Sequence, residues 1–481
     1  MPDITTFERL RACGRAETFS TTRHHLGFFR NVSFAATYTY TDTSLSTPLK
    51  PLVYQSLRTV IARHSILSAV PVNEDKSHPD VYFARLPCID LKTCVLFVER
   101  EKGFKGDGRD EELELTLQEQ HNRNFKDELG TKPFWRLIVL HAPGDSSTFT
   151  AVWVFHHALA DGSSALVFHG AFLAALKVAS ATQSATDAVD YVVESSQTTL
   201  IPALDDLHPL PISTLFLIKA LLGSILPSWF NPRPAKLWTG APVTSEPLAA
   251  KCKVRSLVLS PSTTKRVLEL GRKNRTTMQG TLQSLLASAT LANLDEQEYS
   301  RVRISGPISL RRFMRWDGGS LDDEFVNGVS EYTLVHGREA ENESISWDTA
   351  RTVRAAIQTE LDKKGSNSVI GLLRYVSDMH KFFTEQVGKE RGNSLELSNV
   401  GGWKASRGAG GTGEGWRWKV GRCAFSQSPN VTGAALAVSV VTGGDGCAVL
   451  VFTWHDGIVE DMFVERVVGT VERAVETIEG A

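Results

Sequence analysis

A histidine pair followed at a fixed distance by an aspartate and a glycine is the most chemically suggestive spacing in the chain: His156-His157-Ala158-Leu159-Ala160-Asp161-Gly162, within VWVFHHALADGSS. An imidazole with an ordinary pKa near ~6.5 accepts a proton at neutral pH, so His157 suits the work of a general base. Its context matters as much as its type. An apolar, β-branched run ends at the pair, and an apolar run of helical character begins after Gly162. A strand-end loop is where a rigid scaffold aims a side chain into a cleft, and the glycine permits a tight turn there. The same residues also fit a buried histidine pair with a helix-capping aspartate, and the local pattern does not separate the two readings. The offset alone is weak, because it recurs at His141 and Asp145. No glycine follows that second match, and Pro143-Gly144-Asp145 is accounted for by turn chemistry. No G-x-S-x-G elbow accompanies His157, no cysteine lies near it in sequence, and Ser163 and Ser164 read as the capped start of a helix.

The elements that must position these residues follow from periodicity. Phe134 to His141 and Thr148 to Phe155 are dense in β-branched and aromatic residues and are separated by Ala142-Pro143-Gly144-Asp145, so they read as a hairpin or neighbouring strands. Helices are expected at Pro48 to Ala69, Asp110 to Leu129, Ser163 to Val178, Ser262 to Arg272, Thr276 to Leu291, Trp347 to Lys363, Ser368 to Glu385 and near Glu460 to Ile478. Further strands are expected at Val254 to Leu259, at Arg301 to Leu310 with a break at Gly306-Pro307, at Leu395 to Asn399, Ala434 to Val441 and Ala448 to Trp454. The class is mixed α/β, with strands in both halves. Two domains are expected, 1–195 and 246–481, joined by a crossover over 196–245 that carries an apolar segment.

Composition narrows the function. With 481 residues, 42% hydrophobic and 22% charged, the chain is an ordinary globular mixture. Lys+Arg at 52 against Asp+Glu at 54 leaves no basic surplus to displace counterions, which argues against a nucleic-acid partner. Six cysteines without a CxxC pair, and an opening without an apolar signal core, point to free thiols and a cytoplasmic location. The longest apolar stretch, Ile212 to Leu226, contains Lys219 and falls short of the ~20 residues that span a bilayer. Over Ile212 to Trp229 the favoured reading is a helix packed on the core or lining the acceptor's entry. Contact with a membrane or lipid-droplet surface is the alternative.

HHxxxDG is the signature of acyltransferases of the chloramphenicol-acetyltransferase-like superfamily, and within it the chain resembles the fungal alcohol acetyltransferases. Five blocks in order carry the resemblance: Arg9 to Tyr38, PFWRL at Pro133 to Leu137, LWTGAP at Leu237 to Pro242, LSNVGGW at Leu397 to Trp403, and Phe425 to Gly446. It implies two such domains with an active-site channel between them, and transfer of an acyl group, usually acetyl, from coenzyme A to an alcohol. Some relatives act on amines, so N-acetylation of a hydrophobic, sphingoid-like amine is the alternative activity. A non-catalytic binding relative is the rival class, against which His157, Asp161 and Gly162 stand intact. Carried over by position, His157 matches the general base and Asp161 a largely structural carboxylate paired with an arginine, for which Arg311 in ISLR is the candidate. Gly162 gives the loop its turn. Role and setting in secondary metabolism, and a monomeric state, are likewise expectations from the resemblance.

Acyl transfer also needs a donor for the developing oxyanion, worth roughly 2.7–4 kcal/mol. Asn399 and Ser398 are candidates, although the departure of LSNVGGW from the plant glycine motif means plant assignments do not carry across, and Asn399 also fits plain turn chemistry. No metal is expected, since the histidines and cysteines lack metal-site spacing, and His24-His25 reads as packing near a strand start. The glycine-rich stretch from Gly401 to Gly415 lacks a phosphate-binding motif; its Lys404 and Arg407 are candidates for the phosphates of coenzyme A.

Overall fold

The computed structural model describes residues 3–42, 45, 47–102, 104, 106, 108–127, 129–181, 190–225, 233–244, 251–339, 345–404 and 417–480. Two large sheets organise them. The first has five strands in the order Trp418–Gln427, Val32–Tyr40, Thr148–Phe155, Trp135–His141, Val95–Glu99. The second has seven, running Leu237–Trp238, Arg301–Ser309, Leu395–Gly402, Leu436–Thr442, Ala448–His455, Cys252–Leu259, with Val329–Gly337 added beside Arg301–Ser309. The sheets do not follow the chain. Trp418–Gln427 leaves the C-terminal half and pairs antiparallel with Val32–Tyr40, so the first sheet is completed by the second half's polypeptide.

The strand leading to the histidine pair lies at the centre of the first sheet and pairs with Trp135–His141 as an antiparallel hairpin, Trp135 opposite Phe155 and His141 opposite Phe149. Residues flanked on both sides by strands and covered on both faces must be apolar. Accordingly Trp153, Phe155 and Phe168 form a stacked slab beneath the loop, with ring centroids 4.0 and 4.4 Å from Trp153. Asp145 folds back on the hairpin turn, its Oδ1 accepting from the Ser147 N–H at 2.7 Å, which is the turn chemistry expected of the second His-x-x-x-Asp match. The helix Gly162–Ala181 is apolar enough to cross a bilayer by length and composition, yet 72% of its most apolar window is buried in the fold.

Several expectations are corrected, among them the helix Ser368 to Glu385, which is broken into Val369–Leu372, the turn Leu373–Tyr375 and Met379–Thr384, and the helix from Asp110, which ends at His121. The strand Arg301–Ser309 runs unbroken through Gly306-Pro307. It pairs with Leu395–Gly402 only at Ile304 and Ser305 and then diverges, so Pro307 sits where no ladder on that side needs its missing N–H. His24 and His25 close a helix, Arg15–His25, rather than opening a strand. The helix Pro48 to Ala69 ends at Arg63, and Ala69–Val72 is a strand. Finally, Thr214–Ile225 is a helix with Leu215, Ile218, Leu221 and Leu222 exposed and Phe216 and Leu217 half-buried, and none of these side chains lines the cavity described below. Its continuation to Trp229, like Arg407 and most of the glycine-rich stretch, lies outside the described residues. All six cysteines are free, and only Cys88 is exposed.

Candidate active site

The divergence of Arg301–Ser309 from Leu395–Gly402 opens a cavity of about 390 Å³ between the two sheets. His157 lines it, together with Arg23, Asn327, Glu331, Glu396 and Asn399. A second cavity of about 260 Å³, bordered by Leu159 and Asn327, flanks the other side of the same loop.

The loop is fixed by three bonds to the segment Val326–Gly328. Asn327 Nδ2 donates to the His157 carbonyl at 2.8 Å, the Asp161 N–H donates to the Val326 carbonyl at 3.1 Å, and the Gly328 N–H reaches Asp161 Oδ2 at 3.4 Å. Asp161 is buried and faces away from the cavity. Its Oδ1 accepts from the Ser164 N–H at 2.9 Å and lies 3.3 Å from Arg311 Nη2. Arg311 also donates to the Ser164 hydroxyl at 2.9 Å and to the carbonyls of Leu321 and Glu324. Asp161 therefore caps the helix, a part the sequence also allowed to the serines, while Ser164 belongs to the arginine network and Ser163 lines the cavity.

Gly162 opens the helix without a left-handed φ, so its role differs from the turn expected of it. A Cβ there would sit 2.7 Å from Val400 Cγ1 and 3.0 Å from Phe425 Cζ. Those atoms belong to strands of the second half, so the glycine lets the two halves close on the loop. Gly162→Ala is expected to cost ~1–3 kcal/mol through overpacking, read as a lowered urea midpoint. A midpoint equal to wild type would contradict the contact.

The His157 ring packs at 5.7 Å from Phe29, and its Nδ1 is sealed from solvent, which leaves Nε2 open to the cavity. Burial, aided by the charge of Arg23, pushes its pKa down to about 4. The ring is thus neutral at pH 7, and its lone pair is free for a proton.

His156 does something else. Its Nδ1 accepts the Ala158 N–H at 3.0 Å, and its Nε2 faces Glu74 Oε1 at 3.1 Å. From the other side, His24 accepts the Phe125 N–H on Nε2 at 3.1 Å and meets Glu74 Oε2 with Nδ1 at 2.8 Å. These backbone donors assign each ring's proton to the nitrogen facing Glu74. His24, Glu74 and His156 are the one group with metal-ligand proximity among the described residues. Their lone pairs point the wrong way for it, since a metal would have to displace both imidazole protons. The trio is a carboxylate that accepts from His24 Nδ1 on one oxygen and has the His156 ring in close contact with the other. Burial alone would raise the Glu74 pKa, but His24 and His156 hold it at about 2.

Burial holds other histidines neutral as well: the pKa falls to about 3 at His121 and His169, and to about 4 at His156 and His336. With His157, each gains a proton near ~6.5 only on unfolding. The unfolded state therefore binds more protons below that value, and stability falls as pH drops from ~6.5 towards ~4, by up to about 1.4 kcal/mol per pH unit per ring. Glu74, whose folded pKa is depressed, adds a loss below ~4.5. Urea midpoints at pH 7 and pH 5 check this; the expected result is a much lower midpoint at pH 5, and equal midpoints would contradict it.

Of the oxyanion candidates, Ser398 donates to Glu396 Oε1 at 3.0 Å and accepts from Gln427 Nε2 at 3.0 Å, so its proton is committed. Asn399 accepts the Gly401 N–H on Oδ1 at 2.8 Å, and its Nδ2 has no partner among the described residues. It combines turn chemistry with a donor to spare. Arg23, Asn327, Glu331 and Glu396 are cavity residues that sequence reasoning missed, and no local spacing marks them.

The sequence profile of the alcohol acetyltransferase family matches residues 99–470. The chain belongs to the alcohol acetyltransferase family. It is 34% identical over 472 residues to the probable alcohol acetyltransferase crmB of Aspergillus fumigatus, covering 94% of this chain and 96% of that one. It is 27% identical to the probable alcohol acetyltransferase FCK4 of Fusarium pseudograminearum, over 95% and 93% of the two chains. In fold it resembles the TRI3 trichothecene 15-O-acetyltransferase of Fusarium sporotrichioides, with TM-score 0.69, 13% identity and coverage of 97% and 94%. A condensation domain of the calcium-dependent antibiotic synthetase is similar at TM-score 0.58 and 12% identity, over 98% and 96%. An alcohol acetyltransferase family member is an enzyme of acyl transfer, with the two-domain architecture of these folds and a cavity between its sheets.

Proposed function

We propose that this acyltransferase moves the acetyl group of acetyl-CoA to a hydroxyl of a small-molecule acceptor, with His157 as the general base. Nε2 takes the hydroxyl proton as the oxygen attacks the thioester carbonyl. The tetrahedral oxyanion is met by the Asn399 amide or a neighbouring backbone N–H. Collapse breaks the C–S bond, and the coenzyme A thiolate leaves with the proton from the imidazolium. Asp161 and Arg311 hold the loop and touch neither substrate. The observation that carries the reading is His157 Nε2, neutral and open to a cavity between the two sheets. Cavities on both faces of the loop support entry of donor and acceptor from opposite sides. The names of the relatives, alcohol acetyltransferases in two fungi, support a hydroxyl as the acceptor group. The test is incubation with labelled acetyl-CoA and a panel of alcohols and long-chain amines, with products sorted into alkali-labile esters and stable amides. Esters are expected. Amides alone would move the acceptor to the amine class, and no transfer to either would overturn the reading.

A further inference from the structure

The helix Arg15–His25 brings to the larger cavity a charged side chain that proton transfer does not use. Phe19 lies one turn before Arg23, and the chain then folds back so that the N–H groups of Phe28 and Phe29 both donate to the Arg23 carbonyl, at 2.7 and 3.2 Å. Two rings therefore hold the guanidinium, whose central carbon is 4.4 Å from the Phe19 centroid and 4.7 Å from that of Phe29. Such contacts occupy the face of a guanidinium and leave its N–H edge free. The protein does not use that edge. Arg23 is 8% exposed, and its side chain makes no hydrogen bond or ion pair with any described residue. Nε is sealed from solvent without a partner, which leaves the two Nη groups open to the cavity. Burial lowers the pKa to about 10, so the group stays charged at neutral pH.

Its neighbours fix where along the cavity this donor stands. Phe29 also packs against the His157 ring, at 5.7 Å. On the other side Phe19 meets Phe383 at 4.9 Å, and Phe383 meets the exposed Phe382 at 5.2 Å, all of them lining the cavity. Arg23 is thus the charged donor between the proton acceptor and an aromatic wall. In a largely apolar pocket a few placed polar groups decide how a ligand lies, and buried donors without acceptors are costly until a ligand satisfies them. Glu331 and Glu396 border the same cavity without pairing with Arg23, so a further carboxylate would bring in like charge. A neutral carbonyl oxygen accepts from the N–H edge and brings none.

Resting on the proposed O-acetylation, we infer that Arg23 is the specificity-determining donor of the acceptor site, and that the natural acceptor is a largely apolar alcohol carrying a neutral carbonyl oxygen several bonds from the reacting hydroxyl. The hydroxyl lies at His157, the ketone, ester or lactone carbonyl at Arg23, and the hydrocarbon along Phe19 and Phe383. A buried hydrogen bond from a charged donor is worth roughly 10–100-fold in affinity.

The probes are ω-hydroxy ketones of increasing chain length, each paired with the alkene in which a methylidene carbon replaces the carbonyl oxygen, and the matching ω-hydroxy acids. In transfer from acetyl-CoA the best ketone is expected to exceed its alkene by ~10-fold or more in kcat/KM, chiefly through KM, with the hydroxy acid below the ketone. R23Q should bring that ratio close to one and R23K should restore part of it, both at melting temperatures near wild type. A wild-type ratio near one along the whole series, or a preference for the hydroxy acid, would overturn the inference. So would an R23Q enzyme that slows ketone and alkene alike and keeps their ratio, which would put Arg23 at the thioester oxygen instead. Titration calorimetry of the same pair reads the site even where no ester forms. Tighter binding of the ketone, lost in R23Q, supports the assignment independently of turnover, and equal binding of ketone and alkene overturns it. Absence of transfer to every alcohol, with the ketone's tighter binding intact, would instead strike the proposed reaction.

Discussion

Replacing His157 with alanine lowers acetyl transfer by about 10²–10⁴-fold, the usual worth of a positioned general base. The fold should survive. The His157 carbonyl, held by Asn327, is untouched, and the ring's main neighbour is Phe29 at 5.7 Å. The urea midpoint at pH 7 is therefore expected near wild type. In acid the variant should lose slightly less stability than the parent, because one ring held neutral by burial is gone. His156→Ala separates the two histidines. It removes a buried ring that accepts the Ala158 N–H and lies 3.1 Å from Glu74 Oε1, so it should cost ~1–3 kcal/mol of stability and a smaller share of the rate. Near wild-type turnover from His157→Ala, or a larger rate loss from His156→Ala, would show that the wrong histidine has been given the proton.

The second large effect concerns the support of the loop. Asp161→Ala leaves Arg311 buried with one partner fewer, and Arg311→Ala leaves Asp161 charged at 1% exposure. Breaking a buried pair from either side typically costs ~3–5 kcal/mol. The double variant should cost less than the sum, with a coupling of ~0.5–3 kcal/mol. Arg311→Lys should recover only part of the loss, because one ammonium cannot reach Asp161, Ser164 and the carbonyls of Leu321 and Glu324 together. Activity should fall with stability in each case. Strictly additive unfolding energies would mean that the two side chains do not act through each other.

The strands that bury both faces were legible from residue type. Thr148–Phe155 and Ala448–His455 are continuous apolar runs, and periodicity suffices for them. The helix Arg15–His25 was not legible. It buries Thr18, Thr21, Thr22, Arg23 and His24 instead of an apolar stripe, so its sequence carries no amphipathic signal. That conflict between pattern and burial marks a functional element, since this helix delivers Arg23 to the cavity and His24 to Glu74. Trp418–Gln427 was missed for a different reason: its partner is Val32–Tyr40, far away in sequence, and no local feature announces such a pairing. In the site, His157, Asp161 and Gly162 share one short segment and could be read together. Asn327, Glu331 and Glu396 come from separate strands and loops, and only tertiary structure gathers them.

The proposed reaction is direct transfer, in which His157 activates a bound hydroxyl and no acyl group is ever carried by the protein. Ser163 lines the cavity, so a covalent route has a conceivable nucleophile, and the claim can fail. Incubation of the protein with labelled acetyl-CoA in the absence of acceptor, followed by denaturation and counting of protein-bound label, tests it most directly. No covalent label is expected; a stoichiometric adduct that is discharged on adding an alcohol would contradict direct transfer.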